Sequence, residues 1–565
     1  LKHFFYILLY LNIYTLLIAH GNAQEFYLNI EAEIPISKSL ADSLNTEVSY
    51  PDFRSVREAA DSLQGRLHKL GFLEARLDAL EKANDSVFNA SFFFGTQYKY
   101  IKIYYDPSAF SKKELSRISK EITDEWFSLS FEETEPALTK LNAIKTENGN
   151  AFARIRLSQF QKEEDAVMTA RLQLESGAQR LLDSVVVKGY DKFPRSFLKY
   201  YAGIKEGRPF NRKKLNRQNE VLNGLGFVNT LKGPEVLFKE NKTAVYFYLE
   251  RRNNNLFDGI LGFATDEESN KLEFNGYLNL ELNNNLNFGE QLLVNYKADG
   301  NEQQNFRARA RLPYLFSSPF GLELELKIFK RDSTFVTTDQ SVKATYQINP
   351  FSLAYIGYKA AESSNLLDEV LAGTSVEDYK SKYFISGVQF VKTQNDALFP
   401  VKSEIAISSE IGNRTLKTTN ESQTRLSLVA GNIFNLNFNN SIYLQNASSV
   451  LFSETFLTNE LFRFGGINSI RGFNENSIDA VLFSVLNTEY RYRFSPGFYM
   501  HSIIDLAYFE NETIDIKQKL YSFGIGLGLL TKAGLLKFNL ANGNSENQNF
   551  NFSNTKIHLS LSSRF

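Results

Sequence analysis

Two periodicities divide this chain. From about Asn253 onward apolar and polar residues alternate, while the part before it mixes a spacing of three and four with short alternating runs. In "KLEFNGYLNLELN" (271–283), Leu272, Phe274, Leu278, Leu280 and Leu282 fall on one face. Lys271, Glu273, Asn275, Asn279, Glu281 and Asn283 fall on the other. "GLELELKIF" (321–329) sets Leu322, Leu324, Leu326 and Ile328 against Glu323, Glu325 and Lys327 in the same way. A period of two is the mark of a strand lying between two different media. Strands of soluble sandwiches are usually about 5–6 residues long. Many of these runs reach about ten residues and end in aromatics, as tilted membrane strands with aromatic girdles do. Sixteen such segments are predicted, beginning near 256, 271, 288, 303, 320, 334, 352, 380, 402, 422, 436, 480, 498, 518, 534 and 555. The last, "KIHLSLSSRF", places Ile557, Leu559, Leu561 and Phe565 on one face. An even number suits a closed barrel, which leaves no strand edge that lipid would have to satisfy.

The N-terminal part repeats itself. "FRSVREAADSLQGRLHKL" (53–70) puts Phe53, Val56, Ala60, Leu63, Leu67 and Leu70 on one helical face, and Gly71 follows as a C-cap. "GFLEARL" (71–77) is echoed by "GNAFARI" (149–155) and, more faintly, by "GFVNTLK" (226–232). Each follows a helix-like stretch and precedes a second strand candidate, at 86–94, 167–175 and 243–250. Further strands are expected at 98–105 and 183–190. Three βααββ modules of roughly 75 residues account for this pattern. Small mixed modules with exposed strand edges are suited to taking up an extended peptide as an added strand.

Composition narrows the class. The formal net charge is −1, so nothing draws the whole chain toward nucleic acid. There are 49 Phe and 28 Tyr but one Trp, 12 Pro and no Cys, which excludes disulfides and a lipoprotein cysteine. "LKHFFYILLYLNIYTLLIAHGNAQ" reads as a secretory signal, with Lys2 and His3 before an apolar run and Gly21-Asn22-Ala23 as the cleavage site; an N-terminal anchor is the alternative. After it no apolar run of about 18 residues occurs, so helical spans are excluded. The expected division is a signal peptide over 1–23, modules over 24–97, 98–180 and 181–252, and a barrel over 253–565.

The longest connection, about 448–479, holds "FRFGGINSIRGFNENSI" (462–478). Phe462, Phe464, Ile467, Ile470 and Phe473 give it something to pack, unlike a disordered loop. If it folds back into the barrel, Arg471 needs an acidic partner. The next two strands each offer one: Glu489 shares a face with Asn487, Arg491 and Arg493, and Asp505 opposes Ile504, Leu506 and Tyr508. Both carboxylates are therefore expected to face the barrel interior, where they could also simply line a wet lumen. Gly259 and Gly262 lie in the first strand, where glycine would loosen its pairing or mark a bulge. Catalysis finds little support, because only His501 and His558 occur in the barrel and neither accompanies a nucleophile motif. The same lack of Cys and of paired His spacing speaks against metal.

These features together resemble the BamA/TamA outer-membrane assembly family, also called bacterial surface antigens. The resemblance rests on "SIRGF" (469–473), "TEYRYRF" (488–494), "IIDLAYF" (503–509), the Gly-rich "SFGIGLGLLTKAGLLKFNLA" (522–541), Phe565 and the preceding POTRA-like repeats. It spans essentially the whole chain after the signal segment. Ile470 stands where the family motif often has Val, and Asn150 where an aromatic is usual. The resemblance implies a sixteen-stranded barrel in the outer membrane of a Gram-negative-type bacterium, with the modules in the periplasm. It implies that Arg471, with Gly472 and Phe473, reaches into the lumen and is held by Glu489 and Asp505. It further implies an insertase or translocase without cofactor that receives unfolded outer-membrane or secreted client proteins and opens between its first and last strands. Outer-membrane lipids and periplasmic or inner-membrane accessory proteins are the other partners to expect. A two-partner-secretion transporter or passive pore of the same fold is the alternative; it would carry a plug helix, and none is evident between Gln24 and Tyr50.

Overall fold

The computed structural model describes residues 25–565 apart from 45–48, 164–165, 241, 266–271, 299–302, 368–374, 395, 418, 532–533, 547–550 and 563–565. The expected signal segment and Phe565 lie outside the described residues. Two compact units share the chain: one runs to Leu181 and adds Arg208–Arg212, the other comprises Leu182–Gly207 and everything from Lys213.

The first unit holds two small sheets. β1 (Tyr27–Ala32), α1 (Lys38–Leu44), α2 (Phe53–Lys69), β2 (Arg76–Lys82) and β3 (Val87–Phe93) form a sheet in the order β1-β3-β2, with β1 parallel to β3. Asp52 caps α2 by accepting from the Ser55 amide at 2.7 Å. The helix buries Val56, Ala60, Leu63 and Leu67, the stripe read from the sequence. It stops at Gly71, whose φ of +92° is left-handed, and the Phe72 amide reaches back to the Leu67 carbonyl at 3.0 Å. The echo at Gly149 is structural as well: φ is +96°, and Asn150 donates to the Lys145 carbonyl at 3.2 Å. Residues 24–50 hold no free helix among those described, since Leu44 of α1 is buried in the module core.

The second module elaborates the plan. β4 (Tyr100–Tyr104) is followed by the four-residue α3 (Lys112–Leu115) and an added hairpin, β5 (Glu121–Ile122) with β6 (Trp126–Ser130). α4 (Phe131–Glu147), β7 (Arg154–Lys162) and β8 (Val167–Glu175) complete it, in the order β5-β6-β4-β8-β7. The extra hairpin covers what would be an open edge of β4. Lys145 Nζ, nearly buried, donates to both Glu114 oxygens at 2.9 and 3.0 Å and to the Ala109 carbonyl at 2.6 Å, tying α4 to α3.

The second unit begins with β9 (Ser184–Lys188), a π-helical turn (Phe197–Tyr201), α5 (Arg212–Asn223), β10 (Val228–Phe238) and β11 (Thr243–Arg251), in the sheet order β10-β11-β9. Here the repeat weakens: Gly226 has no left-handed φ, and α5 ends instead through Gly224 donating to the Glu220 carbonyl.

The remainder is a sixteen-stranded antiparallel sheet. Its strands are β12 (Leu256–Thr265), β13 (Leu272–Asn283), β14 (Gln291–Ala298), β15 (Gln304–Leu312), β16 (Phe320–Arg331), β17 (Phe335–Asn349), β18 (Ser352–Asn365) and β19 (Tyr379–Thr393). They continue as β20 (Val401–Leu416), β21 (Thr419–Asn435) and β22 (Asn440–Phe452). After a short pair, β23 (Phe462–Phe464) with β24 (Ile478–Ala480), come β25 (Leu482–Ser495), β26 (Phe498–Asn511), β27 (Ile516–Thr531), β28 (Gly534–Ser545) and β29 (Thr555–Ser562). Each long strand pairs with its sequence neighbour, β22 pairing with β25 across the loop. The eleventh begins at Asn440, not near 436, because the Asn437 side chain accepts from the amides of Asn439 and Asn440 at 3.0 and 2.9 Å and holds a turn there.

The two faces of the sheet differ as the alternation requires. On β26, Tyr499, His501, Ile503, Asp505, Ala507 and Phe509 are buried, whereas Met500, Ile504 and Leu506 point outward and are exposed. The closed ladder expected of the barrel is not seen: β12 and β29 approach each other, but no ladder joins them among the described residues. The sheet nonetheless curls on itself, because the single loop between β22 and β25 touches Lys297 on β14 through Glu475 at 3.5 Å and His558 on β29 through the Gly472 amide at 3.3 Å.

Candidate functional site: an arginine-anchored loop inside the sheet

The loop enters at the end of the sheet remote from β11 and turns back on two glycines. Gly465 and Gly466 have φ of +115° and +94°, and Ser469 donates to the Gly466 carbonyl at 3.1 Å. This tight turn drives Ile470 into an apolar cluster with Phe464, Ala480, Val485, Ala507, Phe509 and Leu520, where it is fully buried. Phe464 stacks on Phe483 at 4.8 Å and meets Phe509 edge-on at 5.7 Å. The next residue then faces the strands.

Arg471 is 4% exposed and lies between β25 and β26. Its Nε donates to Asp505 Oδ2 at 2.8 Å and its Nη2 to Asp505 Oδ1 at 2.5 Å, a bidentate fork, while Nη1 donates to Glu489 Oε1. The Arg471 backbone amide adds a third bond to Asp505 at 3.0 Å. Glu489 is shared, since its other oxygen accepts from Arg491 Nε at 2.7 Å. The two carboxylates are therefore unequal: among the described residues Asp505 pairs with Arg471 alone, and Glu489 keeps a second cation. Asn487 fixes the approach by donating to the Ser469 carbonyl at 2.7 Å.

Gly472 follows with φ of +83°, and a Cβ there would lie 2.5 Å from the Gly543 amide nitrogen on β28. A Cβ on Gly543 would in turn lie 2.7 Å from the Gly472 carbonyl oxygen and 2.7 Å from the Phe473 ring. Loop backbone thus rests directly on strand backbone, which requires glycine on both sides. Phe473 packs against the apolar cluster.

The loop is held at two further places that the sequence reading did not name. Arg414 on β20 is fully buried; it pairs with Glu460 in the loop and donates to Glu421 at 2.5 Å and to Thr455 Oγ1 at 2.6 Å. Gln423 supports Glu460 at 2.9 Å. Asp479, at the exit, receives a bidentate pair from Arg331 on β16 at 2.6 and 2.8 Å, and Arg463 stands 3.6 Å away while lying over the rings of Phe329 and Phe335. The available signal was a pair of opposite charges, Glu460 and Arg463, set among Leu461, Phe462 and Phe464 in "NELFRFGG" at 459–466.

The residues expected at the seam are placed only in part. Gly259 and Gly262 both lie in β12, opposite Leu278 and Asn275 of β13. Gly259 sits under β13, where a Cβ would approach the Tyr277 carbonyl to 2.9 Å, so it favours close strand packing at that point.

No protein-family model matches the sequence, and no curated protein matches it. Among solved structures, CdiB from Acinetobacter baumannii is 14% identical with a TM-score of 0.52, over 81% of this chain and 89% of that one. CdiB from Escherichia coli is 13% identical with a TM-score of 0.51, over 92% of this chain and all of that one, 100%. BamA from Haemophilus ducreyi lacking POTRA domains 1-3 is 15% identical with a TM-score of 0.48, over 82% and 99%. Small POTRA-like α/β modules leading into a sixteen-stranded antiparallel sheet of the transmembrane-barrel type are the fold that this chain shares with CdiB.

Proposed function

We propose that this protein is an outer-membrane assembly factor that inserts or exports β-rich client proteins by strand exchange between β12 and β29. The observation that carries the reading is the pair of end strands lying side by side without a ladder among the described residues. Two unpaired edges facing each other offer an incoming strand its hydrogen bonds, so that client backbone never meets lipid bare. The modules receive unfolded outer-membrane or secreted clients in the periplasm and are the docking points for periplasmic or inner-membrane accessory proteins. The Arg471 loop braces the sheet around the working edge. No step in this scheme makes or breaks a covalent bond, so the protein is not an enzyme and uses no cofactor.

Cysteine pairs scanned along β12 and β29 test the exchange. A crosslinked seam is expected to abolish insertion of a client barrel into proteoliposomes and to leave the fold intact; full activity of the locked protein overturns strand exchange. Depleting the protein and quantifying the outer-membrane proteome then separates the two roles of this fold. Broad loss of barrels supports assembly, and loss of one exported product supports a two-partner-secretion transporter.

A further inference from the structure

The segment that leads from β9 into the π-helical turn carries three exposed cations. Lys192, Arg195 and Lys199 are exposed and spaced by three and four, while the interleaved Tyr190, Phe193 and Phe197 are buried. Asp191 is the only acidic residue from Tyr190 to Tyr201. The buried side is bolted to two hairpin turns of the large sheet. Tyr190 Oη donates to Asn287 Oδ1 at 2.9 Å and accepts from Asn284 Nδ2 at 2.7 Å. Phe197 meets Tyr314 edge-on at 4.7 Å, and Tyr200 stacks on Tyr314 and donates to the Ser317 carbonyl at 2.6 Å.

Those turns hold hydrophobic side chains out. Between β13 and β14, the Glu290 carboxylate accepts from the amides of Leu286 at 2.6 Å and Phe288 at 3.1 Å, and Asn284 Oδ1 accepts from Gly289 at 2.8 Å. The turn so satisfies its own backbone, leaving Leu286 and Phe288 67% and 69% exposed. Between β15 and β16, Tyr314, Phe316 and Ser317 all have left-handed φ, of 54°, 52° and 55°, and Phe316 is 98% exposed. A strained turn that presents a bare ring, beside another that hides its polar groups, fits an apolar boundary and not water. Both tips run on into the outward apolar side chains of the sheet, Leu292 on β14 and Phe320 on β16.

We propose that this rim rests on phospholipid of the leaflet that faces the modules. Leu286, Phe288 and Phe316 lie at the acyl–headgroup boundary, and Lys192, Arg195 and Lys199 hold anionic phosphate headgroups. The proposal rests on the membrane reading given above. Its effect is to fix the third module against the bilayer beside the sheet, through lipid as well as through Tyr190 and Phe197.

The test uses the full chain with its one Trp removed (Trp126→Phe) and Phe316→Trp added, in nanodiscs containing brominated phosphatidylglycerol or brominated phosphatidylcholine at equal mole fraction. The anionic lipid is expected to quench the indole about twofold more than the zwitterionic one, because the cations enrich it there. Lys192→Glu with Arg195→Glu and Lys199→Glu is expected to abolish that excess. Phe384→Trp, on the outward face in mid-strand, serves as the membrane control and is expected to be quenched equally by both lipids. An unquenched indole at 316 beside a quenched one at 384, or equal quenching at 316 by both lipids, overturns the proposal. Failure at 384 as well brings down the membrane reading, and this one with it. Phe288→Trp repeats the measurement if the first variant does not fold, folding being read from heat-modifiable gel mobility.

Discussion

At Arg471 the arithmetic of partners decides what each substitution does. Arg471→Ala leaves Asp505, which is fully buried, with no cation, and orphaning a buried charge costs about 3–5 kcal/mol. Asp505→Asn is expected to cost more than Glu489→Gln, since Asp505 takes three bonds from Arg471 and Glu489 retains Arg491. The thermal midpoint of the heat-modifiable band measures these losses. A double-mutant cycle of Arg471→Ala with Asp505→Asn is expected to show coupling well above about 0.5 kcal/mol; additive losses would remove the anchor. A different residue carries the pH dependence of the second module. Burial alone would raise the Glu114 pKa, but the Lys145 ammonium and the Ser111 amide and hydroxyl outweigh it and hold the carboxyl below its ordinary 4.5. A carboxylate depressed on folding stabilises above its unfolded pKa and loses that contribution as pH falls through the folded value. Glu114→Gln is therefore expected to lower the urea midpoint at neutral pH, and the difference from the parent is expected to shrink as pH falls below 4.5. Trp126, on β6 of the same module, reports the transition by fluorescence.

At the level of elements, the loop behaves as a strut with three footings. Glu460→Gln strips the fully buried Arg414 of its most buried partner and is expected to cost about 3–5 kcal/mol. Glu421→Gln, on the more open side of the same arginine, is expected to cost less, because Glu460 remains paired with Arg414. The long strands were legible in the sequence because a sheet with apolar surroundings on one face and a polar interior on the other must alternate, as Leu322 to Ile328 do. The inward direction of Glu489 and Asp505 follows from that alternation alone. The Arg414–Glu460 footing was not legible, because its members stand 46 residues apart in chain and the alternation of β20 turns Arg414 inward without naming its partner. The β5–β6 hairpin escaped notice for another reason: strands of two and five residues are too short to show a period. Gly71 and Gly149 marked helix ends correctly since both need a left-handed φ, while Gly226 shares the letter without the conformation.

For the whole molecule, the loop substitutes for part of the closure that the end strands lack. Its tip touches β14 on one side and β28 and β29 on the other. Deleting residues 465–476 is expected to lower the heat resistance of the folded band by more than Arg471→Ala does, and to raise protease cleavage near β12 and β29. Unchanged heat resistance would show that the strand ladders alone keep the sheet curled. The same placement sets an order in time. Eleven strands precede the loop and can zip up as neighbouring hairpins, but Asp505, Gly543 and His558 all come later in the chain than Arg471. The tip must wait for them, and the curling sheet must leave room for it until they have paired. Local pairing is quick, whereas contacts between distant parts of a chain form slowly because their loop entropy is lost first. Seating the tip is then the slow last event of folding, and a sheet that has paired every hairpin is still unfinished until Arg471 finds Asp505.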